Sequence, residues 1–257
     1  MDDAPMTGAT GRMEWRRAWA ALRALIADSQ RTDLAFEVID ALSGNSFERS
    51  FQRIRSHPAG RQLLAERPSL LHALSDRDAL ANLPPGSFGC AYLAFGAAAD
   101  LSPEGLVAAE AAAEARNPRP PLDPDRQFFA DRTRDMHDLW HVLTGYGMDE
   151  AGEAALLAFN LGQVPNLGMG LIVAASAVIG PKDTRLSFQR YLVQAWRRGR
   201  GTPMLAVAPY ERLLPRPLDE VRDLLNIPPA HAAHPDGILV GNRVRGSNRW
   251  TLAPQTH

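Results

Sequence analysis

The sequence predicts an all-α protein, and three observations carry that reading. Apolar residues recur at three- and four-residue intervals in segment after segment. Helix start and stop signals bracket those segments, with Ser, Asp or Pro at one end and Gly at the other. There is no run of alternating strands, no Gly-rich phosphate loop and no convincing internal repeat. With 45% hydrophobic and 22% charged residues in a chain of 257, one bundle-like helical domain with a real core is expected. It is placed at residues 12–228, after a disordered start at 1–11 and before an irregular tail at 229–257.

Glu14 to Ala27 carries Trp15, Trp19, Leu22, Leu25 and Ile26 at helical spacing. The two Trp are read as core, with a membrane interface as the alternative. Asp33 starts a second helix that stops at Ser43-Gly44. Ser46 caps a third, with Phe47, Phe51 and Ile54 inside. His57-Pro58 begins a short helix to Glu66, and Pro68 opens another with Leu70, Leu71 and Leu74. His57 and His72 are read as surface or turn residues. The turn at Leu83–Gly89 feeds an apolar helix from Cys90 to Ala99. Ser102 caps the next, with Pro103 at its first position. A Pro-rich crossing at Asn117–Pro124 leads to a helix over 131–144, broken by Gly145-Tyr146-Gly147. Asp149 caps the following helix, which Gly162 and Pro165 end. Asn166 to Gly180 is apolar nearly all round, so it is buried or lines an apolar cavity. A turn at Pro181–Asp183 precedes a helix from Thr184 to Arg198 with a basic end. Pro217 opens a last short helix to Leu225. The tail holds a hairpin, Ile238 to Trp250, around Gly241-Asn242.

The helix over 131–144 organises the rest. At about 100° per residue, His137, Asp138 and His141 fall within an arc of roughly 100°. Arg134 and Thr144 share that face, and Leu139, Trp140 and Leu143 lie on the core side. Two His at i and i+4 is the spacing by which one helix offers two nitrogens to one metal ion. Glu153, about one turn into the next helix, can face back across the short turn as a further ligand. A solvated polar face is the plain alternative, weighed against the fact that only 7 His occur in the chain. Two imidazoles and two carboxylates suit Zn²⁺, Fe²⁺, Co²⁺ or Mn²⁺, and ligand type alone does not choose among them.

Composition excludes some classes. A net charge of −1 gives no global support for a nucleic-acid partner. Cys90 is the single cysteine, so there is no internal disulfide; its apolar setting reads as packing. No secretory signal is read at the start. The longest apolar stretch, Leu167 to Gly180, falls short of the roughly 20 residues a bilayer span needs.

The chain resembles the coenzyme Q (ubiquinone) biosynthesis protein 4 family. That family's signature is His-Asp-x-x-His, eleven residues, then Glu, and His137, Asp138, His141 and Glu153 match every position. Other stretches agree: Asp40–Gly44, Arg67-Pro68, Leu83–Gly89 with Ala91-Tyr92 and Phe95, and Leu218–Ile227. Phe88 and Asn226 stand where Leu and Gly are usual. The similarity covers roughly residues 30–228.

The resemblance implies a helical, often dimeric protein whose motif binds a divalent cation. It implies a polyprenylated benzoate-type quinone precursor as substrate and other ubiquinone biosynthesis proteins as partners. The implied reaction is oxidative decarboxylation, with the ring carboxyl replaced by hydroxyl. On this reading His137, Asp138, His141 and Glu153 ligate the metal. Asp138 alternatively orients a His or acts as base. Arg134 pairs with the substrate carboxylate, and Leu167, Leu171 and Ile172 line the isoprenoid path, with core packing as the alternative. A homodimer in the cytoplasm is expected, peripheral to the inner membrane through the basic end at Arg197–Arg200. Two rivals remain: a non-enzymatic lipid-binding scaffold organising the biosynthetic enzymes, and a metal-dependent hydrolase. A phosphohydrolase of the His-Asp type would also need an upstream His and a downstream Asp; His72 and Asp183 are candidates by position, with no local pattern to support them.

Overall fold

The computed structural model describes residues 13–252, apart from 30, 100–101, 181–184, 242, 245–246 and 249–250. The expected disordered start, the turn at Pro181–Asp183, and Asn242 and Trp250 of the tail lie outside the described residues. As predicted, the protein is all-α, with two short antiparallel strand pairs near its end.

The first two helices, α1 (Trp15–Ala27) and α2 (Thr32–Ala41), pack through small residues. Ala18, Ala21 and Leu22 of α1 are buried with Val38 and Ala41 of α2. This reverses the reading of the tryptophans: Trp15 and Trp19 are 53% and 57% exposed. The alanine side of the helix allows the closer approach, so it is the side that is buried.

Next come α3 (Ser46–Ser56), α4 (Pro58–Glu66), α5 (Leu70–Ser75) and α6 (Arg77–Ala81). The starts of the last three are fixed by side chains that take up otherwise unbonded N–H groups. His57 accepts from Ala59, Ser69 from His72 and Asp76 from Ala79. The apolar helix α7 (Phe88–Ala99) begins two residues earlier than expected, because Phe88 and Gly89 donate backbone bonds to Arg216 and Leu214. Cys90 is packed there, its thiol pointing at the Leu80 and Leu83 carbonyls.

Beyond α8 (Pro103–Arg116), the helix expected over 131–144 is two: α9 (Pro124–Asp135) and α10 (His137–Thr144), separated at Met136. The central pair is α11 (Glu150–Gln163) and α13 (Arg185–Gly201), with α12 (Leu167–Ile179) beside both. Gly162 does not end α11 but lies inside it. A Cβ on Gly162 would sit 2.5 Å from the Trp196 carbonyl oxygen, and one on Gly199 would sit 2.1 Å from that of Phe159. The two glycines let the backbones touch, and Ala151, Ala154, Ala155 and Ala158 of α11 are buried as well. Phe159, Phe188 and Leu192 fill the core around it, each burial contributing roughly 1.5–3 kcal/mol.

The chain closes with α14 (Tyr210–Leu213), α15 (Leu218–Leu224) and α16 (Ala230–Ala233). In the tail, β1 (Leu239–Val240) pairs with β4 (Thr251–Leu252), and β2 (Arg243–Val244) with β3 (Ser247–Asn248). The pairs are nested, Leu239 lying opposite Leu252 and Arg243 opposite Asn248.

Candidate metal centre

The site is built where α10 meets α11. Gly145 ends α10 in the left-handed conformation, φ +77°, as a glycine stop should. Asp149 then caps α11 by accepting from Ala151 and Gly152. The turn is pressed against the new helix, since a Cβ on Gly152 would sit 2.1 Å from the Gly147 carbonyl oxygen. The last carbonyls of α10 have no partners within the helix. Arg222 donates to those of Val142 and Leu143, and Arg198 to that of Thr144. Cations at this end also suit the helix dipole.

Held this way, α10 and α11 bring His137, His141 and Glu153 together. The two Nε2 atoms are 3.3 Å apart. Glu153 places Oε1 3.3 Å from His141 Nε2 and Oε2 3.7 Å from His137 Nε2. A tetrahedral ion with bonds of about 2.0–2.1 Å separates its ligands by roughly 3.3 Å. The donor set and spacing therefore fit a divalent metal: one ligand atom from each residue lies within 4.8 Å of the other two.

The protonation chemistry agrees. His141 is buried, and its Nδ1 lies 3.0 Å from the Tyr146 carbonyl oxygen. A carbonyl only accepts, so Nδ1 carries a hydrogen and Nε2 is the atom that faces the cluster. Burial works against charging His137, but the hydrogen bond and charge of Glu153 prevail and raise its pKa. Burial likewise works against ionising Glu153, yet hydrogen bonds from both histidines bring it down to about 2. A divalent ion held there would take the place of the histidine protons that Glu153 accepts.

The structure brings together three of the four expected ligands. Asp138 is one residue further round α10, and its carboxylate stands beside the cluster, not in it. It is buried, which raises its pKa against the pull of His137 and His141. Arg134 is drawn away from the site. Its guanidinium is paired with Glu110 of α8, Asp131 and Asp135, and the break at Met136 separates it from the His face. Thr144 is buried and donates to the Trp140 carbonyl. Of the residues expected along an isoprenoid path, Ile172 is buried against Leu22 and Val38, Leu171 packs on the same cores, and Leu167 is 44% exposed. A solvent-open groove on α3, lined by Asn45, Glu48, Arg49 and Arg53, contains none of the expected site residues.

Sequence reasoning missed two neighbours. Phe95 of α7 stacks on His141, with ring centres 5.3 Å apart. Its place in a family-like stretch was the available signal. The Tyr146 carbonyl left no signal, since any residue carries one.

A ubiquinone biosynthesis protein COQ4, mitochondrial, from Yarrowia lipolytica is 32% identical over 78% of this chain and 74% of its own length. An Aedes aegypti COQ4 homolog, also named mitochondrial, is 28% identical over 79% and 72%. The crystal structure of a Nostoc punctiforme protein titled for ubiquinone biosynthesis shares the fold, with TM-score 0.59, 21% identity, and coverage of 84% of this chain and 99% of that one. The sequence profile described as coenzyme Q (ubiquinone) biosynthesis protein Coq4 matches residues 17–231. The chain belongs to the Coq4 family of ubiquinone biosynthesis proteins.

Proposed function

We propose that, within ubiquinone biosynthesis, this protein replaces the ring carboxyl of a polyprenylated benzoate-type precursor by hydroxyl, with molecular oxygen as the two-electron oxidant, one oxygen atom entering the ring hydroxyl, the carboxyl leaving as CO₂ and, with water consumed, the second oxygen atom leaving as hydrogen peroxide. The observation that carries the reading is the convergence of His137, His141 and Glu153 from two helices. These three would hold the divalent ion. Bound there, it supplies Lewis acidity toward a carboxylate or phenolate oxygen. Glu153 keeps its negative charge across the working pH range, offsetting the ion's. His141 offers its lone pair from a fixed ring. Phe95, already stacked on His141, gives a flat apolar face against which an aromatic ring can lie. Asp138, buried and drawn toward its protonated form, can hold or pass a proton beside the cluster.

The substrate's tail is a bilayer lipid, so the protein works at a membrane surface. Among the described residues no helix is long and apolar enough to cross a membrane. The contact is assigned to α1, where exposed Trp15 and Trp19 stand one turn apart, with exposed Arg16 and Arg23 beside them. Trp at the headgroup level and Arg toward anionic lipid is the usual composition of such a face. At the basic end of α13, Arg197 and Arg200 are exposed but Arg198 is buried. The Yarrowia and Aedes relatives are named mitochondrial; for this chain the proposal is an inner-membrane surface, as a homodimer.

The test is turnover. Purified protein loaded with Fe²⁺, Mn²⁺, Co²⁺ or Zn²⁺ is given a carboxylated polyprenyl phenol, and lipid product and CO₂ are followed by mass spectrometry. Hydroxylated product that disappears on chelation supports the proposal. Lipid binding without CO₂ release under every metal leaves an organising role in its place.

A further inference from the structure

Behind the metal centre lies a buried polar cluster that joins the end of the chain to the turn after α10. His234 is fully buried. Its Nε2 is 2.8 Å from the Tyr146 hydroxyl, and its Nδ1 is 3.0 Å from Gln194 Oε1 of α13. The amide oxygen only accepts, so Nδ1 carries the hydrogen and Nε2 receives the Tyr146 O–H. Burial and the nearby Arg198 charge hold the pKa of His234 down to about 4, so it stays the neutral acceptor this bond needs. The Tyr146 ring is wedged on three sides. His234 and Tyr191 meet it edge-on, at 5.5 and 5.9 Å between centres, and the Arg198 guanidinium lies 5.4 Å from its centre.

Tyr146 sits between Gly145 and Gly147, neither of which has a side chain to fix the peptide planes around it. The orientation of the Tyr146 carbonyl is therefore set by what grips its ring. That carbonyl is the group 3.0 Å from His141 Nδ1.

We propose that His234 is a positioning residue for the metal centre: by gripping Tyr146 it fixes the carbonyl that locks the ring and tautomer of His141. The proposal rests on the reading of His137, His141 and Glu153 as metal ligands. A ligating His commonly gives its second N–H to a carbonyl, and loss of such outer partners weakens metal binding by about 10–100-fold. His234 acts one step further out.

Two measurements on the full-length protein test it. Co²⁺ alone is titrated by visible absorption, and the His141 tautomer of the metal-free protein is read from ¹⁵N imidazole NMR. The variants are His234→Phe, His234→Gln and Tyr146→Phe, with Glu153→Gln as control. His234→Phe and Tyr146→Phe are expected to bind Co²⁺ about 10-fold more weakly and to give His141 a mixture of tautomers. His234→Gln, which can still accept from Tyr146, restores both. A folded His234→Phe with wild-type Co²⁺ affinity and a pure Nδ1–H tautomer overturns the proposal. If His234→Phe does not fold, Tyr146→Phe, which removes a single oxygen, decides the matter on the same two readouts. If the wild-type protein takes up no Co²⁺, or Glu153→Gln takes it up equally well, the metal reading fails instead, and the tautomer still reports on positioning.

Discussion

His234 also makes stability depend on pH in a calculable way. Its pKa is about 4 in the folded protein and about 6.5 unfolded. A folded pKa below the unfolded one means that the unfolded chain binds the proton first. Stability is then complete above about pH 6.5 and falls as pH drops toward 4. The whole effect is a shift of about 2.5 units, or roughly 3 kcal/mol. Between pH 7.5 and pH 5 the loss from this one residue is about 2 kcal/mol. The perturbation is His234→Gln, which removes the titration and keeps an acceptor for Tyr146. Urea unfolding at both pH values gives four free energies. Other titrating groups, His137 and Glu153 among them, cancel in the difference between the two proteins. Wild type should lose about 2 kcal/mol more than His234→Gln over this interval. An equal loss in both proteins refutes the reasoning, because it would mean that His234 charges freely in the folded state.

Gly199→Ala should be severely destabilising: its Cβ would lie 2.1 Å from the Phe159 carbonyl oxygen, and backbone cannot swing aside as a side chain can. A loss at or above the roughly 1–3 kcal/mol typical of overpacking should appear in thermal unfolding; an unchanged midpoint would show that the helices can part. Glu153→Gln, which removes the carboxylate of the candidate ligand set, should weaken divalent-metal binding by at least the roughly 10-fold that loss of an outer partner costs, and equilibrium dialysis against Zn²⁺ measures it. Trp15→Ser with Trp19→Ser should leave the thermal midpoint within a degree or two, since both side chains are mostly exposed. The same pair should lower binding to anionic vesicles in a flotation assay; undiminished flotation moves the membrane face elsewhere.

Local spacing was legible in the sequence, and distant partnership was not. The i, i+4 histidines and the short glycine-stopped turn place three candidate ligands together, because both facts concern residues close along the chain. Asp138 was drawn in by the same arithmetic: an arc of roughly 100° is too wide for neighbouring side chains to share one point. Arg134 was misplaced because its helix was run through Met136. Glycine is ambiguous in a sequence, and Gly162, which looked like a stop, is a point of contact. An amphipathic pattern cannot say whether the tryptophans or the alanines of α1 face inward; packing against α2 decides. His234 lies 88 residues from Tyr146, in a tail with no periodic signal, so only the folded chain reveals the pair.

The meeting of α11 and α13 at Gly162 and Gly199 has a mechanical consequence for the centre it supports. Main chain against main chain offers no rotamers to rearrange and hence no give. Glu153 therefore rides on an anvil, and whatever yielding occurs during exchange of ion or reactant falls to the opposite jaw. On that jaw His141 is sealed, whereas the His137 side chain is 30% open to solvent and Glu153, across from it, is 39% open. Traffic should pass between His137 and Glu153, with the give supplied by the His137 half of a clamp whose other half is welded.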